Sequence, residues 1–125
     1  MEPMSILVTE DDEDMRSLVV LLLEEEGYQT EAAENGLEAL DLIKQKKPDL
    51  ILLDMKMPVM NGWEFVAAYR KLYGHEVPII VMTAAEHPAR RASEIGAEGW
   101  LSKPFSQQEL LDEVKKHLQQ KNENG

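Results

Sequence analysis

An α/β fold built on a doubly wound, five-stranded parallel sheet is what this sequence predicts, and three observations predict it. Short apolar runs recur five times along the chain, and each is followed by a stretch whose apolar residues fall at helical spacing. The connections between them are short, as right-handed crossovers covering both faces of a sheet require. Several of the runs lack the alternation of a strand with one wet face, which marks a sheet buried on both sides.

Ile6, Leu7 and Val8 open the pattern as a buried strand that ends at Glu10 and Asp11. The first helix carries Met15, Leu18, Val19, Leu22 and Leu23, with Asp12 or Glu13 able to cap its first turn and Gly27 available as a left-handed stop. Tyr28 to Ala32 is a weaker second strand. Asn35 caps a helix bearing Leu37, Ala39, Leu40 and Ile43, which ends before Pro48.

Leu50 to Leu53 make a third strand, wholly apolar and therefore central, and it too terminates in a carboxylate, Asp54. Met57, Pro58, Asn61 and Gly62 mark a loop before a helix from Trp63 to Tyr73. Val77 to Met82 form a fourth strand ending at Thr83. A shorter helix runs from Pro88 to Ile95, and Trp100 with Leu101 make a brief fifth strand before Lys103 and Pro104. Ser106 and Glu109 have the spacing of a capping box, opening a last helix with Leu111, Val114 and Leu118. There is no internal repeat and no linker. One domain over 1–121 is expected, with 122–125 as a flexible tail in the polar stretch that begins at Gln119.

At 125 residues and 43% hydrophobic, the chain can bury a core that outweighs its ordering entropy. It has no apolar run long enough to cross a bilayer, and Met1 to Ser5 lack the basic and hydrophobic regions of a signal peptide. The expectation is a soluble, cytoplasmic protein away from the membrane. Cysteine is absent, which removes disulfide frameworks, thiolate metal sites and cysteine nucleophiles. A formal net charge of -11 argues against direct nucleic-acid binding, because a phosphate backbone rewards a basic face.

Ligands of open parallel sheets bind beyond the carboxyl ends of the strands, where strand order reverses. Read together, those ends supply Glu10 and Asp11, then Asp54, Thr83 and Lys103. Each residue alone has an ordinary explanation as a turn former, helix cap or solvated loop side chain. Their common placement on one edge is what points to a site. Three adjacent carboxylates repel one another and call for a cation, and oxygen donors without His or Cys favour a hard ion, Mg2+ over a dedicated Ca2+ cage. A metal, a lysine and a hydroxyl around a carboxylate are the parts phosphoryl transfer uses, with Asp54 as nucleophile.

With those residues in place, the chain resembles the receiver domain of bacterial two-component response regulators from Ile6 to about Leu118. The motifs Ile-Leu-Val-Thr-Glu-Asp-Asp, Asp-Leu-Ile-Leu-Leu-Asp-Met-Lys-Met-Pro followed by Asn-Gly, Val-Met-Thr-Ala, and Leu-Ser-Lys-Pro-Phe carry the resemblance in order and spacing. It implies a flavodoxin-like fold with strand order 2-1-3-4-5. It also implies Glu10 and Asp11 as the metal-binding pair, Asp54 as the phosphorylated residue and the backbone carbonyl of Lys56 as a further Mg2+ ligand. Thr83 would hydrogen-bond the phosphoryl oxygens and Lys103 would pair with them by charge. The Lys103–Pro104 peptide is expected to be cis. Trp100 stands at the place of the switch aromatic, which would reshape the face formed by helix 4, strand 5 and helix 5 for a downstream protein partner.

The resemblance further implies a phosphoryl donor that is a histidine kinase or a histidine phosphotransfer protein, and a monomer or weak phosphorylation-dependent dimer. Such a chain is not a turnover enzyme, although it catalyses its own phosphorylation and slow dephosphorylation. Departures from the family pattern include Thr9 in place of an apolar strand residue, a short helix 4, and the bulk of Trp100. Lys56 lies where side chains govern access of hydrolytic water; its ammonium is expected to pair with an acid when no phosphoryl group is present, and to tune the lifetime when one is.

Three roles stay open: a stand-alone switch, a phosphorelay intermediate that passes the group onward, or a receiver belonging to a larger regulator. A flavin-binding flavodoxin-like protein shares the architecture but needs Ser, Thr and Gly donors where this chain has acids. An aspartate-nucleophile hydrolase needs a second acid two residues after Asp54, where Lys56 stands.

Overall fold

Alternate residues of the central strands feed two separate cores, one on each face of the sheet. The computed structural model describes residues 3–124, with side-chain surroundings described through 119. Its elements run β1 (Ser5–Thr9), α1 (Glu13–Glu25), β2 (Gln29–Ala33), α2 (Gly36–Gln45), β3 (Leu50–Asp54), α3 (Gly62–Tyr73), β4 (Ile79–Thr83), α4 (Pro88–Ile95), β5 (Gly99–Ser102) and α5 (Gln107–Asn124). All neighbouring strands are parallel, in the order β2-β1-β3-β4-β5. The expected fold class and strand order are both observed.

Leu7, Ile51, Leu53, Ile79 and Val81 point to one face, where Ala39 and Ile43 of α2, Phe65 and Tyr69 of α3 and Ala92 of α4 cover them. Ile6, Val8, Leu50, Leu52, Ile80 and Met82 point to the other, under Val19 and Leu23 of α1 and Leu110, Leu111 and Val114 of α5. Every residue of β1, β3 and β4 is buried, which is why they read as unbroken apolar runs. The edge strand β2 is mostly exposed, and its sequence signal is correspondingly weak.

Local chemistry sets the boundaries. Asp12 and Asn35 accept helix-capping bonds from the amides of Met15 and Glu38 at 2.8 Å each. Asn61 and Glu64 form a reciprocal capping box at the start of α3, which the sequence reading passes over as a loop marker. Ser106 and Glu109 make the expected one at α5. The fourth strand starts at Ile79 instead of Val77, because Pro78 has no amide to give the ladder.

The stretch 122–125, expected as a tail, begins within α5. Helical backbone continues to Asn124, since the residues after Leu118 include good helix formers and neither Gly nor Pro precedes Gly125, which lies outside the described residues. Gly99 brings β5 hard against α5: a Cβ there would lie 2.6 Å from both Glu113 Oε2 and His117 Nε2. Among the described residues no helix is long and apolar enough to cross a membrane.

Candidate functional site

β1 has β2 on one side and β3 on the other, so the chain leaves its carboxyl end toward one face while β3 leaves toward the opposite face. The crevice this opens is lined by all five residues expected from the strand ends: Glu10, Asp11, Asp54, Thr83 and Lys103. The main chain carries them there in register. The Glu10 amide donates to Ala33 O at 3.0 Å, extending the β1–β2 ladder past the strand, and the Lys103 amide donates to Thr83 O at 2.8 Å, doing the same for β4 and β5.

Glu10 and Asp54 are buried, whereas Asp11 is exposed. Oxygens of the three carboxylates lie within 4.8 Å of one another. Lys103 Nζ donates to Glu10 Oε1 at 2.8 Å and to Asp54 Oδ1 at 3.3 Å, so one ammonium serves two buried acids. The second Glu10 oxygen accepts the Asp12 amide at 3.2 Å. Arg16, one turn into α1, donates through Nη1 to the carbonyls of Glu10 and Asp11 at 2.9 and 3.4 Å, fixing the loop that presents both acids. Sequence reasoning missed Arg16. Its signal was an arginine five and six residues after an acidic pair, at the reach of a helix turn.

The electrostatics follow from this crowding. Burial pushes the Asp54 carboxyl up to about 7 from 3.8, and the Glu10 carboxylate beside it adds to the effect more than Lys103 relieves it. Burial alone would lower Lys103, but its bonds to Glu10 and Asp54 outweigh that and raise it, keeping the ammonium charged. The set is short of positive charge. An all-oxygen donor group with two buried carboxylates that a single lysine does not neutralise fits a hard divalent cation.

Thr83 is buried at the crevice wall with its Oγ1 accepting the Ala85 amide at 3.0 Å, which leaves the hydroxyl proton free to donate elsewhere. The Lys56 amide faces Asp54 Oδ1 at 3.5 Å. Its ammonium corrects an expectation: the side chain is exposed and enters no ion pair among the described residues, because Lys103 already holds both buried acids. The Lys103–Pro104 peptide is cis. Trp100 on β5 is 44% exposed, on the outward side of a strand whose alternate residues are buried. Two further residues of the crevice went unread in the sequence, Trp63 from α3 and Arg91 from α4, the guanidinium carbon lying 5.6 Å from the indole centroid.

Comparison with known proteins finds one family along most of the chain. The family described as "Response regulator receiver domain" matches residues 6–115. Sporulation initiation phosphotransferase F of Bacillus subtilis (strain 168) is 40% identical over 115 residues, covering 90% of this chain and 92% of that protein. Response regulator MprA of Mycobacterium sp. (strain KMS) is 40% identical over 111 residues, but there the chain spans only 48% of the relative's length. Among solved structures, the chemotaxis response regulator CheY4 of Vibrio cholerae is similar with a TM-score of 0.85 and 34% identity, covering 92% of this chain and 98% of that one. A CheY-like receiver domain protein of Methanospirillum hungatei JF-1 reaches 0.89 at 29% identity, covering 98% and 99%.

Proposed function

The chain belongs to the response regulator receiver domain family, and on that footing we propose that it is a phosphoacceptor switch charged at Asp54. The observation that carries the reading is the pairing of a buried, proton-hungry carboxylate with a lysine that also holds Glu10, in a crevice open to solvent. The donor is a phosphohistidine on a histidine kinase or histidine phosphotransfer protein. An Asp54 oxygen attacks phosphorus and the imidazole nitrogen leaves with its electron pair.

Lys103 turns from the Asp54 oxygen to the phosphoryl oxygens, and the Thr83 hydroxyl donates to them. Glu10, Asp11, Asp54 and the Lys56 carbonyl would hold Mg2+, which would supply positive charge beside the transferred group. Lys56, exposed beside the site, tunes the lifetime of the acyl phosphate. Trp100 is the switch aromatic, and the face of α4, β5 and α5 meets a downstream protein partner as a monomer or a weak phosphorylation-dependent dimer. The protein acts in the cytoplasm and does not turn over substrate.

Incubation with Mg2+ and acetyl phosphate followed by intact mass tests this. Wild type should gain one phosphoryl group and Asp54→Asn none; equal gain by the two proteins sinks the assignment. A second reading, a relay intermediate, is favoured by the near full-length likeness to a protein named a sporulation initiation phosphotransferase. Return of the phosphoryl group to a histidine phosphotransfer domain supports a relay, whereas its retention supports a binding switch.

A further inference from the structure

Trp63 and Arg91 sit in the same crevice as Asp54 but belong to its outer part: Asp54 is buried, whereas Trp63 is 40% exposed and the Arg91 side chain 44%. In-line displacement places the leaving group opposite the nucleophile. A nucleophile at the floor therefore sends its leaving group toward the rim. Past the floor, the acids Asp11, Asp12 and Glu86 line the crevice against two cations, Lys56 and Arg91.

Arg91 is suited to answer this. Its guanidinium rests 5.6 Å from the Trp63 centroid, a cation–π contact that holds the side chain toward the crevice without using up its hydrogen-bond donors. Its ion pair with Glu94 is loose, at 3.7 Å. Lys103, by contrast, lies at the floor beside Glu10 and Asp54, away from the rim. The planar fork of an arginine also matches a carboxylate with two parallel bonds, which an ammonium cannot do.

We propose that Arg91, laid on the Trp63 ring, receives the departing carboxylate of an acyl phosphate, making this crevice selective for small donors whose leaving group is anionic. The inference rests on Asp54 as the phosphoacceptor. In the step, a bond forms from an Asp54 oxygen to phosphorus while the bond from phosphorus to the acyl oxygen breaks. The acyl oxygen keeps the electron pair, leaves as a carboxylate and needs no proton. With phosphoramidate the bond to nitrogen breaks instead, and the protonated nitrogen leaves as neutral ammonia, which offers Arg91 nothing to pair with.

The test measures second-order phosphorylation rates by intact mass, with acetyl phosphate and with phosphoramidate at saturating Mg2+. The proteins are wild type, Arg91→Gln, Arg91→Lys, Trp63→Leu and the Arg91→Gln/Trp63→Leu double variant. Loss of one charge-assisted pair should slow the acetyl phosphate reaction of Arg91→Gln about tenfold, with the phosphoramidate reaction changed by less than about twofold. Arg91→Lys should recover part of the loss. Trp63→Leu should show a smaller loss, again with acetyl phosphate only, and the double variant should be no slower than Arg91→Gln.

The ratio of the two rates within one preparation does not depend on the fraction of folded protein, so a poorly folding variant still reports. Equal slowing with both donors, or no slowing with acetyl phosphate, overturns the proposal. If wild type gains mass from neither donor, the phosphoacceptor reading falls and takes this one with it. Phosphorylation of wild type with an unchanged donor ratio in Arg91→Gln removes this inference alone.

Discussion

At the amino edge of the sheet Arg70 is surrounded by acceptors, whereas at the carboxyl edge Lys103 is outnumbered by acids. Arg70 donates to the carbonyls of Gly74, Val77 and Gly96 at 3.1, 3.4 and 3.0 Å and makes a two-pronged pair with Glu98 at 2.8 and 2.9 Å. Its Nε alone lacks a partner. The clamp ties the end of α3 to the turn between α4 and β5. Lys103 divides itself between Glu10 and Asp54, and Asp54 stays raised in spite of it. The backbone follows the same division. Turns at the amino edge put glycine at positive φ, with Gly74 at 72° and Gly96 at 75°, while the loop after Asp54 puts Val59 there at 67°. One edge is satisfied but for a single nitrogen, and the other is held short of positive charge.

That contrast breaks first at Arg70. Arg70→Met should lower stability by about 2 kcal/mol, because it removes the donor shared by three carbonyls and the partly exposed Glu98. Urea unfolding would measure it, and phosphorylation at Asp54 by acetyl phosphate should persist below the transition. A loss of chemistry without a loss of stability would mean the amino edge is no mere clamp.

The next largest effect belongs to Asp54 in metal-free protein. Its folded carboxyl binds a proton more tightly than the unfolded one, so its contribution to stability is full below the unfolded value of 3.8 and drains away as pH rises through about 7. Asp54→Asn removes that drain and should exceed wild type by on the order of 2 kcal/mol at pH 8 in EDTA, with the gap closing toward pH 4. A gap that does not vary with pH would show that the carboxyl edge is not charge-strained. Smaller again is Lys56→Asn, which should change the lifetime of the phosphorylated form roughly threefold, on the scale of one exposed charge. A decay rate equal to that of wild type removes Lys56 from the site. Last, Val59→Gly should raise stability by up to about 1 kcal/mol by relieving the left-handed valine; an unchanged denaturation midpoint would show that the loop carries no stored strain.

Both edges also differ in how much of them could be read from the sequence. Glu10, Asp11, Asp54, Thr83 and Lys103 were legible because a strand end is a local signal, and five strand ends share one edge by topology alone. Arg70 was not, since its partners Gly96 and Glu98 lie 26 and 28 residues away and nothing near it in the chain marks them. The Trp63–Arg91 contact is hidden for the same reason. Val59 looks ordinary in sequence because the strain is in the backbone and not in the residue. The Lys56 ammonium misled in the opposite way: proximity to the acids in sequence suggested a pair that Lys103, far off in the chain, had already taken.

Gly99 carries a mechanical consequence. Because β5 meets α5 there with no side chain of its own, a larger residue would have to displace the ends of the Glu113 and His117 side chains. Trp100 is the next residue along. Its indole is turned away from that joint and 44% exposed, so β5 carries a close contact with α5 on one side and an open aromatic on the other, one residue apart.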